Sequence, residues 1–183
     1  MSFRAFLDAS ILVPARWRDI ILTLAECELF APLWSERCLG EVERHLPESM
    51  TDHDRKFLFQ MMNEAFPDAL VKFPKGLEIS LDYEGINNKD RHIVAAALFG
   101  GAELILTNDK PLVDELARAR LIDAQMMPEF LAYTIDADPR RAVAALTAMA
   151  RNRWRVAPDS TDEEIVARLQ AYFAKQGWGP LVQ

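Results

Sequence analysis

Carboxylates stand at three points where predicted strands end or predicted helices begin. Asp8 closes the apolar run at residues 3–8, which we predict to be a buried strand. Asp109 stands two residues beyond the predicted strand at 103–107, and Asp90 stands at the start of a predicted helix. Ligands of an open parallel sheet bind beyond the carboxyl ends of its strands, where side chains from several elements meet. We therefore expect these three carboxylates to share one site.

The helix predicted after Ser35 can supply a fourth acid. Serine is a residue type that caps helix N-termini, and the apolar residues after Ser35 have helical spacing. Glu41 and Glu43 flank the apolar stripe of this helix on opposite sides. Helical periodicity does not decide which of the two glutamates joins the other acids.

Four neighbouring carboxylates would repel one another strongly, and they stay ionised together only when a cation lies among them. Oxygen ligands without His or Cys are those that Mg²⁺ or Mn²⁺ prefers. Such an ion activates water and stabilises the charge that develops when a phosphodiester is hydrolysed. Each acid also has a structural interpretation, as a helix cap, a first-turn acid or a solvated side chain. The occurrence of all four in one pattern favours the metal site.

The elements that must position these acids alternate between strands and helices. Predicted strands cover residues 3–8, 69–73, 103–107 and 119–124, and predicted helices follow Pro14, Ser35, Thr51, Asp90 and Pro111. This alternation indicates an α/β domain with a largely parallel sheet. Beyond Pro139 the pattern is purely helical, over residues 140–151 and 161–175. We therefore expect an α/β domain over residues 1–134 and a helical extension over residues 135–183.

The net charge of −7 is distributed unevenly along the 183 residues. Residues 1–134 carry 14 basic and 22 acidic side chains, whereas residues 135–183 carry 7 basic and 6 acidic ones. An acidic chain is not expected to coat nucleic acid through a basic surface. It remains compatible with an enzyme that meets nucleic acid through a bridging metal ion.

Cysteine content and hydropathy indicate the compartment. Two cysteines, Cys27 and Cys38, lie in apolar contexts, so a disulfide scaffold is not expected and a reducing cytoplasm is the natural location. No apolar run approaches the roughly 20 residues that cross a bilayer. Arg16 and Arg18 interrupt the first apolar stretch, which argues against a signal peptide. We expect a cytoplasmic protein with no membrane partner.

Four segments resemble, in order, the motifs of PIN-domain nucleases, a family that includes the VapC-type toxins of bacterial toxin–antitoxin pairs. F-L-D-A-S-I-L resembles the opening strand with its first acid, and W-S-E-R-C-L-G-E-V-E-R-H-L resembles the helix with the second. K-D-R-H-I-V-A-A-A and L-I-L-T-N-D-K resemble the motifs of the third and fourth acids. The resemblance covers about residues 3–131, and the C-terminal helices resemble the extension of one bacterial PIN subgroup.

The resemblance implies a three-layer α/β/α domain and a Mg²⁺- or Mn²⁺-dependent endonuclease that acts on RNA. It places the second acid at Glu41 and implies that the metal ligands and catalytic acids are Asp8, Glu41, Asp90 and Asp109. In this scheme Asp8 and Asp90 bind the principal ion, and Ser10, Thr107 and Asn108 support the site. An antitoxin protein and a second copy of the chain are partners that the family commonly has.

Basic side chains close to these motifs have two interpretations. Contact with substrate phosphates is one, and ordinary solvated surface is the other; the residues concerned are Arg16, Arg18, Arg91 and Lys110. His92 follows Arg91 early in a helix, where we expect a structural or capping role rather than a general base.

Three other functions compete with a ribonuclease. A haloacid-dehalogenase-like phosphatase also begins with a strand that ends in Asp, but its chemistry needs a second acid two residues later, where this chain has Ser10. A PIN-like module that binds RNA or protein without cutting is a second alternative, although it would not need all four acids. A PIN nuclease that cuts DNA is the third.

Overall fold

The computed structural model describes residues 3–74, 76 and 85–181. In the described chain the strands are β1 (Arg4–Leu7), β2 (Ala31–Ser35), β3 (Leu70–Val71), β4 (Leu104–Leu106) and β5 (Asp123–Gln125). The helices are α1 (Ala9–Leu12), α2 (Ala15–Glu26), α3 (Glu36–His45), α4 (Asp52–Ala65), α5 (Arg91–Phe99), α6 (Lys110–Ala119), α7 (Met127–Ala137), α8 (Pro139–Arg153) and α9 (Asp162–Lys175).

The described strands form one parallel sheet in the order β3–β2–β1–β4–β5. The chain builds outward from β1 through β2 to β3, then returns and adds β4 and β5 on the other side of β1. The strand order therefore reverses between β1 and β4, and such a switch point opens a crevice at the carboxyl ends of the strands. Leu7 pairs with Leu106 there, and the backbone N–H of Asp8 donates to the carbonyl of Leu106 at 3.0 Å.

Both faces of the central strands are covered. Consecutive residues of β1 and β4 are buried rather than every second one, as are Leu33 and Trp34 of β2. Continuous burial of this kind is typical of a parallel sheet with helices on its two faces. The α/β class with a parallel sheet is confirmed, and the burial is consistent with three layers.

Strand β2 was not predicted from the sequence, because Pro32 lies within it and proline cannot donate to a sheet ladder. The neighbouring N–H of Ala31 points toward β1, so the proline nitrogen points to the opposite side. On that side, among the described residues, β2 pairs with β3 at Trp34 and Ser35 and not at Pro32. In the described part of the sheet, no strand partner therefore lies opposite Pro32 on the side to which its nitrogen points, so the missing N–H breaks no hydrogen bond between strands.

Other boundaries also differ from the predictions. The predicted start of the last strand, at residue 119, is wrong. Helix α6 continues to Ala119 and ends at Arg120, whose φ is 52°, and β5 begins only at Asp123. The strand predicted at 69–73 is reduced to Leu70–Val71, and α1 and α7 were not predicted. The other predicted helices are present.

The C-terminal helices pack against α2 and belong to the same hydrophobic core as the sheet. Asp19 of α2 accepts hydrogen bonds from Arg153 and from the indole of Trp154, both at 3.3 Å. The Arg16 guanidinium lies over the rings of Trp154 and Tyr172, at 4.9 and 5.3 Å. Residue 134, the predicted domain boundary, lies inside α7. In the described ranges, no helix is both long and apolar enough to span a membrane.

Candidate metal centre

The carboxylate of Asp8 is fixed at the switch point by two hydroxyl groups. Its Oδ2 accepts hydrogen bonds from Ser10 Oγ at 2.6 Å and from Thr107 Oγ1 at 2.8 Å. Asp8 occupies the N-cap position of α1, yet its side chain makes no capping bond. The Asp8 side chain is therefore not a helix cap. Asp8 is 6% exposed, and residues that follow β1 and β4 orient its carboxylate.

The same two hydroxyls tie the end of β1 to the loop after β4. Ser10 Oγ accepts the backbone N–H of Asn108 at 2.9 Å, and Thr107 Oγ1 accepts that of Asp109 at 3.1 Å. A hydroxyl has one proton to donate and can also accept, so both hydroxyls can serve Asp8 and the loop together. Ser10 and Thr107 thus orient the first acid, while Asn108 contributes through its backbone.

Asp90, at the start of α5, also makes no side-chain capping bond, and its side chain is mostly buried. Burial is the largest cause that raises the pKa of Asp90, and the charges of Asp109, Glu115 and Asp8 raise it further, whereas Lys89 lowers it. Acids at the end of β1, at the start of α5, and at the start of and within α6 therefore act on one another. Glu115, which also accepts the N–H of Asn87 at 3.0 Å, is an acid that the sequence motifs did not single out.

Asp109 combines the two roles that its sequence context allowed. Its Oδ1 accepts the backbone N–H of Leu112 at 3.3 Å and so caps α6. Its Oδ2 lies 3.2 Å from Nζ of Lys89, which also approaches Oδ2 of Asp90 to 3.6 Å. Lys89 thus holds a positive charge between the third and fourth acids, a placement that the sequence did not reveal.

The structure distinguishes Glu41 from Glu43 on α3. Glu43 is exposed, whereas the Glu41 side chain is 23% exposed, and its Oε1 lies 3.2 Å from Nε2 of the buried His92 on α5. Burial raises the pKa of the Cys38 thiol well above its ordinary value, and the charges of Asp8 and then Glu41 raise it further. The first and second acids therefore lie around the same thiol. We refer to Asp8, Glu41, Asp90 and Asp109 as the acidic cluster.

The donor chemistry of the acidic cluster fits a hard divalent cation. Its potential ligands are carboxylate oxygens, and the Lys89 ammonium already stands between two of them as a cation. Within the described ranges, no three His, Cys, Asp or Glu side chains lie close enough to hold a metal as they stand.

The four basic residues considered as phosphate contacts bind groups outside the acidic cluster. Arg18 is buried, its Nη1 donates to the carbonyl of Leu12 at 2.6 Å, and burial lowers its pKa. Arg16 lies on the aromatic rings of the C-terminal helices, as described above. Arg91 donates to the carbonyl of Ile86, and Lys110 pairs with Asp114 on its own helix.

Searches against protein-family models, curated proteins and solved structures return no match for this chain. The resemblance to PIN-domain nucleases therefore stays a prediction from the sequence motifs. What the structure adds is the arrangement of the acids that those motifs contain.

Proposed function

We propose that the protein is a metal-dependent endoribonuclease of the PIN-domain type, with the acidic cluster as its Mg²⁺ or Mn²⁺ site. The observation that carries this proposal is that Asp8, which follows β1, and Asp109, which precedes α6, both act electrostatically on the mostly buried Asp90 at the start of α5. Two of these acids, Asp8 and Asp90, are oriented without any capping bond. Carboxylates that are buried together without a capping role are well suited to bind a cation.

A divalent ion at this site would supply water activation and charge stabilisation for phosphodiester hydrolysis. Asp8 and Asp90 would hold it, with Glu41 and Asp109 contributing directly or through water. Ser10 and Thr107 keep Asp8 oriented before any ligand arrives, so little reorganisation is needed at the first acid. Lys89, whose side chain is 62% exposed, is a cation beside the cluster that can meet a substrate phosphate.

As biological role we propose the toxin of a toxin–antitoxin pair, acting in the cytoplasm, with an antitoxin protein and a second copy of the chain as partners. This proposal rests on the four sequence motifs. A neighbouring reading frame for a small DNA-binding protein, whose product co-purifies with this chain and suppresses its activity, would support it. If no protein co-purifies with this chain and suppresses its activity, the result would argue against the toxin role.

The phosphatase alternative needs a second acid two residues after Asp8, and the structure gives Ser10 no such role. Its second acid would stand at Ser10, whose hydroxyl is bonded to the Asp8 carboxylate and to the N–H of Asn108. A hydroxyl with both partners inside the protein is not placed as a general acid. A DNA nuclease and a non-cutting binding module are outcomes of the experiment that follows.

The test incubates the purified protein with single-stranded RNA, hairpin RNA and single-stranded DNA in Mn²⁺, Mg²⁺ or EDTA. We expect RNA to be cut only with a divalent ion, and we expect Asp8→Asn and Asp90→Asn to abolish cutting. Asp159→Asn, in an exposed turn before α9, is the matched control and should cut at the wild-type rate.

Each other result contradicts a definite part of the proposal. Cutting in EDTA, or by both site variants, contradicts the metal site. Cutting of DNA in preference to RNA identifies a deoxyribonuclease instead. RNA binding by the wild type without cutting under any condition identifies the binding module.

A further inference from the structure

Three exposed arginines lie together where the start of α2 meets the C-terminal helices. The Arg16 guanidinium lies over the rings of Trp154 and Tyr172, at 4.9 and 5.3 Å. Arg168 precedes Tyr172 by one turn of α9, so these two side chains share a helix face. Arg168 Nη1 also donates to the backbone carbonyl of Arg155 at 2.7 Å. We refer to Arg16, Arg155 and Arg168 as the arginine patch.

The arginine patch has no acidic partner in the described part of the chain, where no carboxylate lies within ion-pair distance of its three residues. The acids close to it are bound elsewhere. Asp19 accepts a hydrogen bond from Arg153 at 3.3 Å. Glu164 stands one turn before Arg168 on α9, but its carboxylate turns back to accept the N–H of Thr161 at 3.0 Å. The positive charge of the patch is therefore left for a ligand.

Each arginine of the patch keeps N–H groups with which it can bind an anion. Arg16 packs on the aromatic rings through the face of its guanidinium, which leaves the N–H groups at its edge. Arg168 uses one of five N–H groups for the Arg155 carbonyl. The Trp154 ring is itself fixed by an edge contact with Tyr172, whose centroid is 5.2 Å away. Guanidinium groups that are held in this way suit phosphate oxygens, which they can bind in pairs.

The arginine patch lies a short length of chain from the acidic cluster. Helix α1 covers Ala9–Leu12 between Asp8 and α2, and Arg16 follows four residues after Leu12. Helical rise and the reach of an extended chain limit the distance between the Cα atoms of Asp8 and Arg16 to at most about 25 Å. A single RNA strand of several nucleotides can span this distance. Because residues 1–134 carry 22 acidic and 14 basic side chains, such a strand needs cations away from the reacting phosphate.

We propose that the arginine patch binds backbone phosphates of a single RNA strand outside the bond that is cut, and so increases the affinity for long substrates. The proposal rests on the proposed function, because RNA is there assigned as the substrate. An RNA strand carries a phosphate at every nucleotide, so successive arginines can bind successive phosphates without reading the bases. The C-terminal helices thus contribute to substrate binding, whereas the acidic cluster holds the ion.

The test measures fluorescence anisotropy of labelled single-stranded RNA with the Asp8→Asn protein in EDTA, so that neither cutting nor a bridging ion contributes. Arg155 and Arg168 are changed together, to glutamine in one variant and to lysine in another. Arg16 is kept, because its guanidinium packs on aromatic rings. Arg140→Gln is the matched control: Arg140 is exposed, has no ion pair in the described ranges, and lies roughly 20 Å by helical rise from the other end of α8.

We expect the glutamine pair to weaken RNA binding about two- to thirtyfold, as for the loss of two exposed ion pairs. The slope of log affinity against log salt concentration should become shallower by about 1.4, since each phosphate contact on a single strand contributes about 0.7. The lysine pair, which loses the same guanidinium groups but keeps the charge, and Arg140→Gln should stay close to the parent. With Mn²⁺ and Asp8 present, the glutamine pair should raise KM for long RNA by the same factor, with kcat and the cutting of a dinucleotide unchanged.

An unchanged affinity and salt slope in the glutamine pair, or an equal loss in Arg140→Gln or in the lysine pair, would overturn the proposal. Competition by polyglutamate as strong as by unlabelled RNA would assign the patch to an acidic polypeptide instead. If binding changes as expected but the wild type cuts no RNA with any divalent ion, the RNA-binding patch stands and the ribonuclease proposal fails. If the wild type cuts RNA and the glutamine pair alters neither binding nor KM, the reverse holds.

Discussion

Replacing Thr107 with valine tests how strongly the end of β4 orients the first acid. Thr107 is fully buried, and valine has nearly the same shape without the hydroxyl. The substitution removes the 2.8 Å bond to Asp8 Oδ2 and the acceptor of the Asp109 N–H, which is 3.1 Å away. The Asp8 carboxylate keeps its bond from Ser10 Oγ at 2.6 Å, so it loses one of two hydroxyl donors.

The expected magnitude follows from these two losses. A hydrogen bond to a charged group contributes about 1.5–3 kcal/mol, and a backbone N–H left without a partner adds about 1 kcal/mol when partly buried. We expect Thr107→Val to lower the free energy of unfolding by about 2.5–4 kcal/mol. For a chain of this size the melting temperature should fall by roughly 5–16 °C, and the urea midpoint should fall by about 1 M or more.

The assay is urea unfolding and calorimetry in EDTA, so that no divalent ion contributes to stability. Thr134→Val is the matched control, because Thr134 is fully buried and, in the part of the chain that the structure describes, its hydroxyl has no hydrogen-bond partner. Removing that hydroxyl should leave stability unchanged or slightly raised. If Thr107→Val is no less stable than Thr134→Val, the hydroxyl does not hold Asp8 as we infer.

Three further predictions concern the charges around the site. Lys89→Met should tighten Mn²⁺ binding in isothermal titration about two- to tenfold, because no ammonium has to leave Asp90 and Asp109; weaker binding would contradict this. Burial raises the pKa of Asp90, so its charged form costs stability at neutral pH, and this cost is lost as pH falls through the raised pKa. In EDTA at pH 7, Asp90→Asn should therefore unfold at a higher urea concentration than the wild type, and this difference should shrink toward pH 4. Equal stability of the two proteins at pH 7 would refute this prediction. Burial raises the pKa of both thiols, well above the ordinary value for the buried Cys38 and less for the partly buried Cys27. A thiol reagent at pH 8 should therefore modify Cys27 in the folded protein and Cys38 only after unfolding; rapid modification of both would be the opposite result.

Local patterns in the sequence predicted the parts of the site that a single element determines. The apolar runs before Asp8 and Asp109 are strands because their residues are buried on both faces of the sheet. Ser35 caps α3 as its position predicts, by accepting the N–H of Cys38. Thr51 likewise begins α4 with a capping box. These features depend on neighbours only a few residues away, which is why the sequence contains their signal.

The remaining features depend on contacts between distant elements, which periodicity cannot represent. Glu41 and Glu43 are equivalent on a helical wheel, and only the packing of α3 against the rest of the domain brings one of them to His92. Lys89 precedes Asp90, but its position between two acids depends on where α6 begins. β2 contains Pro32, and its strand conformation is understood only when the short extent of β3 is known.

Mn²⁺ binding to the EDTA-stripped protein tests the central claim most directly, because the proposed chemistry depends on an ion in the acidic cluster. Isothermal titration would compare the wild type with Asp8→Asn, Glu41→Gln and the control Glu43→Gln. We predict one tight site in the wild type and in the control, lost in Asp8→Asn and weakened in Glu41→Gln. Equal binding by all four proteins, or no binding by the wild type, would contradict the claim.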